Sequence, residues 1–91
     1  MIVCTLYLHF ELPDVHSLKG RRAILNSLKE RLKTFNVSVL DISSEYPKEA
    51  SVALAFLSPD ALQAAQYRQK IETMLETRFP EYPCEIDFEE F

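Results

Sequence analysis

Apolar residues recur at every second position over the first twelve residues of the chain. Ile2, Cys4, Leu6, Leu8, Phe10 and Leu12 alternate with Val3, Thr5, Tyr7, His9 and Glu11. A period of two over this length predicts a β-strand with its even-numbered face buried. Pro13 and Asp14 end it. The period then changes to that of a helix. Leu18, Leu25, Leu28, Leu32 and Phe35 fall on one stripe with Ile24 at its edge, which predicts a helix from about Leu18 to Thr34. Ser17 is the expected N-cap, with Asp14 as an earlier alternative, and Asn36 is the expected stop.

A β-branched run from Asn36 to Ser44 predicts the second strand. Its alternation slips at Leu40, so the pattern leaves its faces unassigned. The segment Glu45-Tyr46-Pro47-Lys48 reads as a turn. Ala50, Val52, Leu54 and Phe56 then alternate in a third strand that pairs with the second as a hairpin. Ser58-Pro59-Asp60 predicts a helix start, with the Ser58 hydroxyl as cap, Pro59 at the first helical position and the Asp60 carboxylate facing the dipole. Ala61, Ala64, Tyr67, Ile71, Met74 and Leu75 form the buried stripe, and Pro80 stops the helix after Phe79. Tyr82, Cys84, Ile86 and Phe88 make a last alternating strand, and Pro83 within it predicts an edge position. The order β-α-β-β-α-β is the ferredoxin-like plan, an α+β sandwich. It implies a four-stranded antiparallel sheet of order 4-1-3-2 with both helices on one face.

Composition fits this picture. Ninety-one residues, 47% of them hydrophobic and 26% charged, suit one globular domain over residues 1–91. No run of 18 apolar residues is present, so no membrane-spanning segment is expected. A single glycine rules out a glycine-rich phosphate loop. Cys4 and Cys84 lack zinc-ligand spacing and are too few for a disulfide scaffold. The fold places them at opposite ends of neighbouring strands, about four residues or ~13 Å apart, which predicts two free thiols. Reduced thiols and an N-terminus that opens directly on a strand predict a cytoplasmic protein.

The segment His16-Ser17-Leu18-Lys19-Gly20-Arg21-Arg22 after an Ile-Val-led strand, together with Phe35-Asn36-Val37-Ser38-Val39, resembles the YlxP-like family. The resemblance spans nearly the whole chain. It departs at Gly20, where the family usually carries a glutamate that would complete a capping box, and at the hairpin turn, where members commonly have a longer polar loop. It implies a ferredoxin-like fold and no defined activity. Members of the family are often encoded beside genes for translation initiation and ribosome maturation.

Net charge is 10 − 14 = −4, but it is unevenly distributed. Residues 1–40 carry six cations and three carboxylates (+3), and the remainder four and eleven (−7). Arg22, Asn26, Lys29 and Lys33 share one stripe of the first helix with Lys19 alongside. Arg21 falls on the apolar side, within reach of a carboxylate or carbonyl. Lys19, Arg21, Arg22, Lys29 and Lys33 are therefore candidate contacts to RNA or the ribosome. Ser17 and the free amides at the helix start would suit an anion, which makes the loop after strand one a further candidate ligand site.

The open sheet face is a second candidate surface. Tyr7 is its one aromatic on the two central strands, and Glu85, Asp87 and Glu89 would repel phosphate, so it is a poor RNA platform. Val3, Tyr7, Ala53, Ala55 and Leu57 instead suggest a protein interface, with homodimerisation as the alternative function. Catalytic readings have little support. His9 and His16 with Glu11 and Asp14 lack metal-ligand spacing, and Ser17 beside His16 lacks a third group and an oxyanion site. The expectation is a non-enzymatic binding module without cofactor, metal or membrane partner.

Overall fold

Two ten-residue strands build the centre of the molecule, which the computed structural model describes over residues 1–91. Strand β1 (Ile2–Glu11) pairs antiparallel with β3 (Glu49–Ser58) along its full length, from Ile2 opposite Ser58 to Glu11 opposite Glu49. Both strands alternate on the same register, so Cys4, Leu6, Leu8 and Phe10 share a face with Ala50, Val52, Leu54 and Phe56, and all eight are buried. The other elements are α1 (Leu18–Leu32), β2 (Ser38–Asp41), α2 (Ala61–Arg78) and β4 (Cys84–Glu90). The sheet order is β2-β3-β1-β4, which is the ferredoxin-like topology expected. Leu25, Leu28 and Leu32 of α1 and Ala64, Ile71 and Leu75 of α2 close the core over one side of the sheet.

Both helices start on side-chain caps. Ser17 is extended (φ −147°, ψ 157°) and its Oγ accepts the Gly20 N–H at 3.1 Å. At α2 the cap is Asp60, a correction to the expected Ser58. Asp60 Oδ1 accepts the Gln63 N–H at 2.8 Å, and Oδ2 lies 3.2 Å from the Gln63 amide nitrogen, which donates to it. Ser58 is held elsewhere: it is buried at the end of β3, paired with Ile2, and its hydroxyl donates to the Asp60 carbonyl. Pro59 consequently precedes the cap. The first helix also stops earlier than expected, with Lys33 as its C-cap. Its N1 residue Leu18 is 45% exposed, because the first turn has not yet passed over the sheet.

Strand β2 is four residues long, shorter than its β-branched run. Val39 pairs with Leu54 and faces the core, which puts Ser38 and Leu40 on the open side. The slip in alternation at Leu40 is thus an apolar residue on the outer face. Arg21 fastens this hairpin to α1. Its Nη1 lies 2.6, 2.9 and 3.1 Å from the carbonyl oxygens of Ser44, Tyr46 and Glu49. Tyr67 makes the matching connection from α2. Its hydroxyl accepts the Asn36 N–H at 2.6 Å, and its ring meets Phe35 edge-on at 5.8 Å and Phe56 at 4.9 Å.

Strand β4 is an edge strand, as Pro83 predicts. Phe88, expected in the core, is 51% exposed because β4 is the outermost strand. Arg68 stacks its guanidinium 3.7 Å from the Phe88 ring centre and forms an ion pair with Glu90. Cys84 lies opposite Phe10, six positions from Cys4 and not four, so both cysteines are free. Burial raises the Cys84 thiol to a pKa of about 11. The nearby Glu85 charge adds to this, against a hydrogen bond from the His9 backbone.

Arg21→Ala is expected to lower stability by about 1–2 kcal/mol through loss of charge-assisted hydrogen bonds, while Arg22→Ala stays within about 0.5 kcal/mol of the parent in denaturant titrations. Equal effects would remove the clamp role from Arg21. Gly20→Ala adds a Cβ at 3.4 Å from Ser17 Oγ and 3.5 Å from Val15 Cγ1, which is ordinary contact. With better helix propensity and no clash, it should stabilise by about 0.5–1 kcal/mol, read as a melting temperature raised by roughly 2–8 °C. Native protein at pH 8 should react slowly with a disulfide reagent, since a thiol at pKa about 11 is only about one part in a thousand thiolate. Both thiols should become reactive on unfolding.

Candidate functional site

The basic stripe of α1 forms on its outward face. Lys19 and Arg22 are exposed and Lys29 is half-buried at the flank toward β2. From Lys19 to Lys29 the helix rises about 15 Å. The helix carries Lys19, Arg21, Arg22, Lys29 and Arg31 against Glu30, which is 5 − 1 = +4 over 15 residues. Its first turn contains no acid, although Lys19, Arg21 and Arg22 stand there against the positive end of the helix dipole.

The candidate residues do not all remain available to a ligand. Arg21 is occupied by three backbone carbonyls, and Ser17 Oγ by the Gly20 N–H. Lys33 pairs with Glu30 at 2.9 Å, with both side chains more than 70% exposed, so this is a weak, water-screened pair. The only other ion pair within 4 Å is Arg68 with Glu90. Lys19, Arg22 and Lys29, like Arg31, therefore make no ion pair within 4 Å. The nearest modulation comes from Asp41 of β2. Partial burial pushes its carboxyl up, and hydrogen bonds from the Ser43 side chain and backbone oppose this. With the charges of Lys29 and Arg21 they hold its pKa below the usual carboxylate value. Asp41 stays ionised at neutral pH beside Lys29.

The open face of the sheet is the second surface, and it also forms as expected. Register places Tyr7 beside Ala53, Thr5 beside Ala55 and Val3 beside Leu57. The strand pairing adds three apolar residues that the alternation did not assign to this face. Leu40 pairs with Ala53, the Ile42 N–H donates to the Ser51 carbonyl, and Phe91 exchanges two backbone hydrogen bonds with Val3. For Leu40 and Ile42 the only available signal was the broken alternation of β2. Phe91 lies beyond the alternating run that ends at Phe88, and only the β1–β4 register assigns its face. Glu85, Asp87 and Glu89 line the β4 side of the same face, opposite His9, Tyr7 and Thr5.

The remaining polar groups are dispersed. His9 Nδ1 lies 2.9 Å from Ser51 Oγ, and His16 is exposed in the loop before α1. No three His, Cys, Asp or Glu side chains converge as a metal site would require. A cavity of about 350 Å³ at one end of the sheet is lined in part by His9, Ser51, Glu49, Cys84 and Glu85; the Ser51 hydroxyl meets His9 Nδ1 there, but no hydrogen bond orients the ring through its other nitrogen. No helix is long and apolar enough to cross a membrane.

Comparison with solved structures finds the same architecture in a chain titled "De novo designed protein Foldit4". The TM-score is 0.56 at 17% identity, covering 98% of this chain and 97% of that one. At that identity the likeness concerns the fold alone. No curated protein matches the chain. The family described as "Protein of unknown function (DUF503)" matches residues 3–87, from the second residue of β1 to the middle of β4. With the match running through every element of the fold, the chain belongs to this family.

Proposed function

We propose that the protein is a non-enzymatic binding module that docks on the phosphate backbone of structured RNA, such as that of the ribosome, through the outward face of α1. The observation that carries this reading is the gathering of Lys19, Arg22 and Lys29 along one side of a helix whose single carboxylate is Glu30, in a chain of net charge −4. Fourteen carboxylates were available to neutralise them, and only Glu30 lies on α1.

Helix stability does not account for the arrangement. Cations in a first turn oppose the dipole by roughly 0.3–1 kcal/mol each. A stripe of about 15 Å can reach two or three successive phosphates. Recognition of this kind is electrostatic and tolerant of sequence, and the neighbouring surfaces restrict its orientation. The acidic row of β4 turns a polyanion away from the sheet, so RNA would meet the protein on its helical side. Arg21 takes no part, since its guanidinium holds the β2–β3 hairpin.

Binding to ribosomal subunits or a structured RNA, measured by co-sedimentation or filter retention between 50 and 300 mM salt, is expected to weaken steeply. Three phosphate contacts give a log–log slope of about −2 to −3. Arg22→Glu with Lys29→Glu should reduce binding at least tenfold at low salt with an unchanged circular dichroism spectrum. Lys33→Ala should have a smaller effect, because Glu30 already offsets that charge. Binding that ignores both salt and the double substitution would overturn the reading.

A further inference from the structure

The open face of the sheet has no role in docking through α1. Leu40 and Leu57 are each 64% exposed and Phe91 71%, and all three stand on this face. Its middle is low, formed by Ala53, Ala55 and Thr5, with the Tyr7 ring standing beside them. Thr5 Oγ1 is covered by its neighbours and has no hydrogen-bond partner within the chain. Clustered apolar exposure of this kind marks an interaction surface.

We propose that this face is the interface between two copies of the chain, packed sheet on sheet about a two-fold axis parallel to the strands. Charge selects both the occupant and the axis. The row Glu85, Asp87 and Glu89 excludes a polyanion from the face. A two-fold axis running across the strands would stack β4 on its own copy and oppose three carboxylates to three. An axis along the strands exchanges the edges and sets β4 over the partner's β2 at the rim, where its carboxylates turn to water instead of facing their own copies. There Ser38, Leu40 and Ile42 face outward, and Asp41 points to the helical side with its pairing partner Val52.

Relief fits the same axis. It places β1 of each copy over β3 of the other, so the Tyr7 ring lies over Ala53 and Val3 over Leu57, a large group on a small or medium one in each case. It also carries Phe91 from the β4 edge to the far end of the partner's β2. A depression of about 370 Å³ lies there, lined by Val3, Asn36, Val37, Ser38, Ala55 and Leu57 among others. Each copy thus offers one exposed ring and one hollow, at positions that the two-fold axis brings together. A self-complementary patch is what an isologous dimer requires.

The area sets the strength. Four strands at ~4.8 Å spacing and about seven residues at ~3.4 Å give a footprint of roughly 19 × 24 Å, or ~450 Å² per copy. Some 900 Å² in all lies below the usual size of a stable complex, which predicts a weak, concentration-dependent dimer.

Sedimentation velocity or light scattering from 10 to 500 µM tests the proposal. The mass should rise from 10.6 kDa toward 2 × 10.6 = 21.2 kDa across that range. Ala53→Arg should hold the protein at the monomer mass, and Phe91→Ala should weaken association at least fivefold, each with an unchanged circular dichroism spectrum. Arg22→Glu with Lys29→Glu should dimerise as the parent does, which separates this interface from the α1 reading. Asp87→Lys should leave the dissociation constant within about threefold. Tightening by tenfold or more would instead reveal β4 stacked on β4 and overturn the proposed axis. A monomer at 500 µM, or a dimer that survives Ala53→Arg, would overturn the interface itself.

Discussion

Ten consecutive cross-strand pairs between β1 and β3 are the constraint on which the rest of the molecule depends. Because the side-chain period of a strand is two, a slip of one residue would exchange Leu6, Leu8, Val52 and Leu54 for Thr5, Tyr7, Ala53 and Ala55 on the buried face. Seven of the eight residues on the chosen side are large or β-branched or thiol-bearing apolar groups, against Val3, Tyr7 and Leu57 on the other, so burial strongly favours this register. Once it is set, β2 and β4 have only the two free edges left to occupy. Both helices must then cover the side where the long residues stand. The low middle of the opposite face, Ala53 and Ala55, is a consequence of the same alternation, and not a separate feature of the sequence.

Polar groups hold the peripheral elements to this centre, and that division determines which cations are free. Arg21 lies on the inward side of α1, where a guanidinium needs acceptors, and the Ser44, Tyr46 and Glu49 carbonyls at the hairpin turn supply them. Arg68 serves β4 in a similar way, stacked on Phe88 and paired with Glu90 beside the buried Cys4. Both arginines therefore act as fasteners for elements too short or too peripheral to be held by packing alone. Arg22, one residue from Arg21 and about 100° around the helix, meets neither carbonyl nor carboxylate.

The parts of the fold that rest on periodicity were legible in the sequence. The period-two runs of β1, β3 and β4 and the leucine stripe of α1 each name their buried face without reference to any other segment. What the sequence withheld depends on contacts between segments. The cap of α2 moved from Ser58 to Asp60 because Ser58 was committed to pairing with Ile2. Phe88 came to the surface because β4 is an edge, although its spacing is that of a core residue. The faces of β2 could be assigned only from its pairing with β3, which turned the irregular Leu40 from a break in pattern into part of the open surface. For the candidate site, the stripe of cations and the inward placement of Arg21 were readable from spacing, but the three carbonyls that Arg21 meets and the Lys33–Glu30 pair were not.

The net charge of −4 conceals an ordering that the fold makes directional. In the strand order β2-β3-β1-β4 the acidic row occupies one edge of the open face, while Asp41 places α1 beside the opposite edge and on the other side of the sheet. The two charged surfaces are therefore separated both across the sheet and through it. A polyanion approaching in water is screened beyond roughly 8 Å at physiological ionic strength, so it senses the surface it touches and little of the total. That is why an acidic chain can present a basic docking face. It is also why the apolar face, bordered by carboxylates on one side only, is better matched to a protein surface than to nucleic acid.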